Sequence, residues 1–172
     1  MMVAAGALAI VLGAQLSLVL PHSPIPQTAQ TLAVLLVAVL LGPARGVSAV
    51  ALYILLGILG LPVFASGGSG FERLLGPTGG FLVGFLLAAW LAGSWSEAGW
   101  TRRLPRSLLG MLLAHATILL TGGLWLARSI GWAAAVGKGI QPFLVAALMK
   151  SMIAALVATA IARRFARPKS AT

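Results

Sequence analysis

Six long apolar stretches, separated by gaps that hold every charged side chain except Lys150, leave this chain one class of fold. With 60% hydrophobic and 8% charged residues, it cannot build a water-facing surface, because an ordinary soluble domain is about a quarter charged. A membrane helix takes about 20 mainly apolar residues. The sequence therefore predicts an all-α integral membrane protein with about six transmembrane helices, folded as a single domain over residues 1–172. The expected spans are 1–20, 28–41, 47–61, 81–94, 107–126 and 141–161. The first lacks a basic start and runs straight into Pro21, so it reads as a retained span rather than a cleaved signal peptide.

The formal charge of +10 is read against a bilayer rather than nucleic acid. If six spans alternate, Arg45, Arg102, Arg103, Arg106, Arg163, Arg164, Arg167 and Lys169 share one face, and Arg73, Arg128 and Lys138 take the other. The positive-inside rule then makes both termini cytoplasmic and 163–172 a basic cytoplasmic tail. Pro21, Pro24 and Pro26 exclude regular helix between the first two spans, which predicts an ordered outer loop there. Between the third and fourth spans, residues 62–80 form a Gly-rich outer loop, where backbone can approach backbone or ligand closely.

Missing residue types exclude much chemistry. The chain has no Cys, and its two acids are Glu72 and Glu97, which this topology puts on opposite faces. A carboxylate pair and a Cys-ligated metal are thus both ruled out, and no phosphate-cradling Gly-Lys-Ser/Thr loop is present. The expectation is a non-enzyme with neither cofactor nor metal, whose energy comes from partner subunits. An intramembrane enzyme built on His115 and hydroxyl residues is the rival from another class, and a pure assembly protein is the third.

Lys150 stands near the middle of the last span, where a cation costs about 2.5–3.5 kcal/mol on insertion scales. That cost points to ligand or ion binding, against the alternative of a lysine snorkelling to the interface. Phe143 and Ala147 share its helix face at i, i+3 and i, i+4 spacing, and Phe143 either lines a site or merely packs. The first outer loop offers Gln27, Thr28, Gln30 and Thr31, amides and hydroxyls suited to an uncharged polar ligand, although Thr28 also suits a helix cap. His115 is expected to hydrogen-bond a neighbouring helix as a neutral ring. Arg73 and Glu72 read as a solvated loop ion pair in preference to the gate or lining of an outer pocket. Ala5, Ala9 and Gly13 make a small-residue stripe that lets another helix approach, inside the chain or in a partner.

Five ordered blocks resemble the BioY family, the biotin-specific S components of energy-coupling factor (ECF) transporters. They are Pro24-Ile25-Pro26-Gln27-Thr28-Ala29-Gln30-Thr31-Leu32-Ala33-Val34, Leu41-Gly42-Pro43-Ala44-Arg45-Gly46, Gly57-Ile58-Leu59-Gly60-Leu61-Pro62-Val63-Phe64-Ala65, Leu75-Gly76-Pro77-Thr78-Gly79-Gly80-Phe81 and Pro142-Phe143-Leu144. The resemblance implies a six-helix S-component bundle that takes biotin from outside, in a pocket roofed by the first and third connections and floored by the last helix. It also implies a transmembrane coupling subunit and two cytoplasmic ATPases as partners, with the stripe Ala5, Ala9 and Gly13 docking on the coupling subunit. Biotin's fused rings are expected against Phe64, Phe81 and Phe143, its polar edges at Gln27, Thr28 and Gln30, and its carboxylate at Lys150. One departure stands out: where the family pattern in the last helix has an aspartate, this chain has Ala147. A weakened biotin site, a site retuned to another biotin-like acid, and the loss of biotin binding are the three readings, and the first is preferred.

Overall fold

The computed structural model describes residues 1–20 and 23–164. Pro21 and His22 of the first outer loop, and Arg167 and Lys169 of the basic tail, lie outside the described residues. The first helix, α1 (Met2–Gln15), stops short of the expected end at residue 20. A two-stranded hairpin takes over, in which β1 (Ser17–Leu18) pairs antiparallel with β2 (Gln27–Thr28). Strand pairing satisfies backbone groups that the proline-rich return could not place in a helix.

Helix α2 (Gln30–Ile58) contains the second and third expected spans. It is a hairpin of two arms, because Gly42 adopts φ 80° and ψ 174°. That backbone region belongs almost to glycine alone. A Cβ on Gly46 would lie 2.8 Å from the Cα of Ala38, whereas a straight helix would hold residues so spaced roughly 12 Å apart. The reversal nests against the next helix but one: a Cβ on Gly93 would lie 2.5 Å from the nitrogen of Pro43.

A short helix, α3 (Glu72–Leu75), sits in the Gly-rich loop, followed by α4 (Gly79–Glu97) and α5 (Leu104–Ile130). Another short one, α6 (Trp132–Ala135), precedes α7 (Leu144–Arg164). The last span begins at Leu144 rather than Gln141, since Gln141–Phe143 is a 3-10 turn around Pro142, which has no amide proton to donate. Counting α1, the two arms of α2, α4, α5 and α7, six segments make the bundle, in line with the sequence.

Lipid tails are as apolar as leucine, so close packing and interhelical hydrogen bonds hold such helices together. Small residues supply the packing: Gly6 of α1 meets Val37, Leu41 and Ala49 from both arms of α2. Hydroxyls supply the bonds: Ser107 donates to the carbonyl of Ala155 at 3.2 Å, and Ser96 to that of Val39 at 3.1 Å. Each such bond is worth about 0.6 kcal/mol on average.

The contacts also sort the two ends. Trp95 donates to the carbonyl of Arg106, and Arg163 to that of Arg102, which gathers Arg102, Arg103, Arg106, Arg163 and Arg164 near Arg45 and the Gly42 reversal. At the opposite end the loops between helices cover the bundle. Gln15 donates to the carbonyls of Val63 and Phe64, each at 3.2 Å, and the hydroxyls of Ser17 and Ser66 are 3.2 Å apart. Ser23 donates to the carbonyl of Lys138 at 2.8 Å, and Trp125 to that of Gly76 at 3.0 Å.

Candidate functional site

Beneath these tied loops lies a cavity between α2, α4, α5 and α7. The space between its walls, open solvent at the mouth included, is about 790 Å³. Its walls are mainly apolar. Phe64 comes from the Gly-rich loop and is 4% exposed. Its ring fills the place a side chain at residue 57 would take and meets Tyr53 edge-on at 5.5 Å. Phe81 at the head of α4 and Phe143 at the head of α7 face each other at 6.4 Å, and Phe85 adds a further ring.

Polar groups converge on this apolar chamber. Gln30 (4% exposed), Tyr53 (0%) and His115 (3%) are buried. Gln30 Nε2, Thr31 Oγ1, Tyr53 Oη and His115 Nε2 have no hydrogen-bond partner among the described residues. Leaving a buried polar group unsatisfied costs about 1–3 kcal/mol, so four of them around one cavity make it a candidate site for a polar ligand. Lys150 is half-buried in the wall, and its ammonium donates to the carbonyl of Thr28 at 2.5 Å. The hairpin brings that carbonyl down to the lysine. At the mouth, the guanidinium of Arg73 lies against Gly68, in the exposed helix α3. None of the lining residues is acidic.

Thr28, Gln30, Phe64, Phe81, Phe143 and Lys150, all singled out in the sequence, line this one cavity. Gln27 is absent from the lining, because it precedes Thr28 on β2 and successive strand residues face opposite ways. The small-residue stripe divides: Gly13 is taken up inside the chain, against Gln30 and Ala33, while Ala5 is exposed and Ala9 half-buried. His115 bonds α7 as expected, its Nδ1 being 2.8 Å from the hydroxyl of Ser151, yet it also belongs to the cavity wall. Of the two readings of Arg73, its place at the cavity mouth is the one seen. Tyr53 was missed, although a lone tyrosine within an apolar span was the available signal, since a buried phenol needs a partner for its hydroxyl.

The family model described as the BioY family matches residues 1–167. A probable biotin transporter BioY of Pyrococcus horikoshii is 39% identical over 146 residues, covering 85% of each chain. The biotin transporter BioY of Thermotoga maritima is 39% identical over 153 residues, covering 87% of this chain and 86% of its own. Biotin transporter BioY2 of Lactococcus lactis is 36% identical, covering 85% and 81%. Among solved structures, the S component for biotin of an ECF-type ABC transporter superposes with a TM-score of 0.83 at 20% identity, covering 94% of this chain and 88% of that one. That likeness establishes the fold, and the sequence relationships establish the lineage: the chain belongs to the BioY family.

Proposed function

We propose that this chain is the substrate-capturing subunit of an ECF-type biotin transporter, holding biotin in the cavity beneath its outer loops. The observation that carries the reading is the cavity itself, aromatic-walled, with four unpartnered polar atoms inside and a cation at two depths. Biotin presents a fused ring with a ureido group, an apolar stem and a terminal carboxylate, and these features match that order of walls. The ureido group belongs deep, among Gln30, Tyr53, His115 and Lys150. The rings lie against Phe64, Phe81 and Phe143, and Thr28 adds a hydroxyl at the hairpin. A carboxylate loses least hydration at the mouth, so Arg73 is its partner and Lys150 donates to the ureido oxygen. This differs from the sequence expectation, which paired the carboxylate with Lys150.

The relatives named above are transporters, and uptake through this subunit draws its energy from a transmembrane coupling subunit and two cytoplasmic ATPases. The exposed part of the α1 stripe, Ala5 with the half-buried Ala9, is the docking surface for the coupling subunit. Among the described residues, Arg45, Arg102, Arg103, Arg106, Arg163 and Arg164 gather at the end of the bundle away from the cavity. The positive-inside rule makes that end cytoplasmic, with both termini there and the cavity open to the outside.

Equilibrium binding of labelled biotin to the purified chain tests the function, with an Ala147→Asp variant alongside. Saturable binding by the unmodified chain is expected, with the variant binding more tightly. Binding by the variant alone would mean a biotin-carrier fold serving another ligand, and binding by neither would end the reading.

A further inference from the structure

We infer that His115 is the residue that accepts the ligand's N–H, through Nε2, and that it stands in for the acidic acceptor the last helix lacks. The inference rests on the biotin reading above and names the group that replaces the missing acid.

Ser151 carries one hydroxyl proton and has two partners, the carbonyl of Met111 at 3.3 Å and His115 Nδ1 at 2.8 Å. A carbonyl oxygen can only accept. Sending the serine proton to Met111 leaves the hydroxyl oxygen to accept from an Nδ1–H, and both contacts are then satisfied. With Nδ1 protonated in a neutral ring, Nε2 carries a lone pair and no proton. That atom is buried, has no partner among the described residues, and belongs to a residue lining the cavity.

The position completes the argument. Ala147 and Ser151 lie one turn apart on the same face of α7, and the ring bonded to Ser151 lines the same cavity as the short Ala147 side chain. No carboxylate lines the cavity, and the ring nitrogen is a buried acceptor held in one orientation by a neighbouring helix. A ureido N–H meets there a neutral acceptor where an aspartate would offer an anionic one.

The test is nitrogen NMR on the full chain labelled in its histidine rings, in a His22→Ala background that leaves one histidine. The free protein at neutral pH should show Nδ1 protonated and Nε2 bare. Saturating biotin should move the Nε2 resonance toward the protonated range while Nδ1 stays. A free ring protonated at Nε2, or an Nε2 signal unmoved by saturating biotin, overturns the inference. A mutant cycle gives a second readout: His115→Phe should weaken biotin binding by about tenfold, within the cost of one unmade buried bond, and much less in an Ala147→Asp background. Equal losses in both backgrounds overturn it too. If no biotin binding is found at all, the functional reading fails, and the protonation of the free ring still decides the acceptor.

Discussion

Lys150 and Arg73 are both cations lining one cavity, and the proposed function gives them different roles by depth. Lys150 is half-buried and bonded to the hairpin carbonyl of Thr28, while Arg73 is exposed on α3 at the mouth. A hydrogen bond to a charged group is worth about 1.5–3 kcal/mol, roughly ten- to a hundredfold in affinity. Arg73→Met should therefore weaken biotin about tenfold or more and leave the uncharged biotin amide unaffected, whereas Lys150→Met should weaken both ligands. Competition binding with the two ligands decides, and equal losses of biotin and its amide in Arg73→Met would remove Arg73 from the carboxylate. At this scale the sequence exposed Lys150, because a charge inside an apolar span is costly wherever it ends up. It could not separate Arg73 the pocket residue from Arg73 the partner of Glu72, since adjacent residues in a loop say nothing of which way either turns.

The hairpin of α2 shows the same limit for an element. Gly42-Pro43 reads from sequence as a break between two spans, and the two arms are there, but the reversal is a single residue at φ 80° rather than a loop. Gly42→Ala places a Cβ in a backbone region that costs about 1–3 kcal/mol and 2.7 Å from the carboxylate of Glu97. We expect a lower melting temperature in detergent, with Gly137→Ala, which meets nothing within 4 Å, as the neutral comparison. An unchanged Gly42→Ala protein would show that the reversal tolerates another geometry. The end of α1 at Gln15 was not legible, because the residues after it are apolar enough to continue a helix. Pairing with Gln27–Thr28, distant in sequence, decides the matter.

Over the whole molecule, the end of α1 and three outer connections are tied together above the cavity: Gln15 to Phe64, Ser17 to Ser66, and Ser23 to Lys138. These ties narrow the way into the cavity, so fixing them should slow ligand exchange. The chain has no native cysteine, so Ser17→Cys with Ser66→Cys gives a clean cross-link, the parent hydroxyls being 3.2 Å apart. The oxidised double variant should load and release labelled biotin more slowly than the reduced one, measured by filter binding over time. Identical rates would mean that entry bypasses this pair of loops. The sequence by itself determined the class of the protein and its six apolar helical segments, because these follow from apolar length, which acts on every residue locally. It also marked six of the residues that line the cavity, Lys150 among them because a charged group in an apolar span needs a reason to be there. Only the tertiary structure decided which of them share one chamber, that Tyr53, Arg73 and His115 line it while Gln27 does not, and that Gly13 packs inside the chain. Those outcomes depend on which helix faces pack and which loops touch, and contacts between residues far apart in the chain leave no local signal.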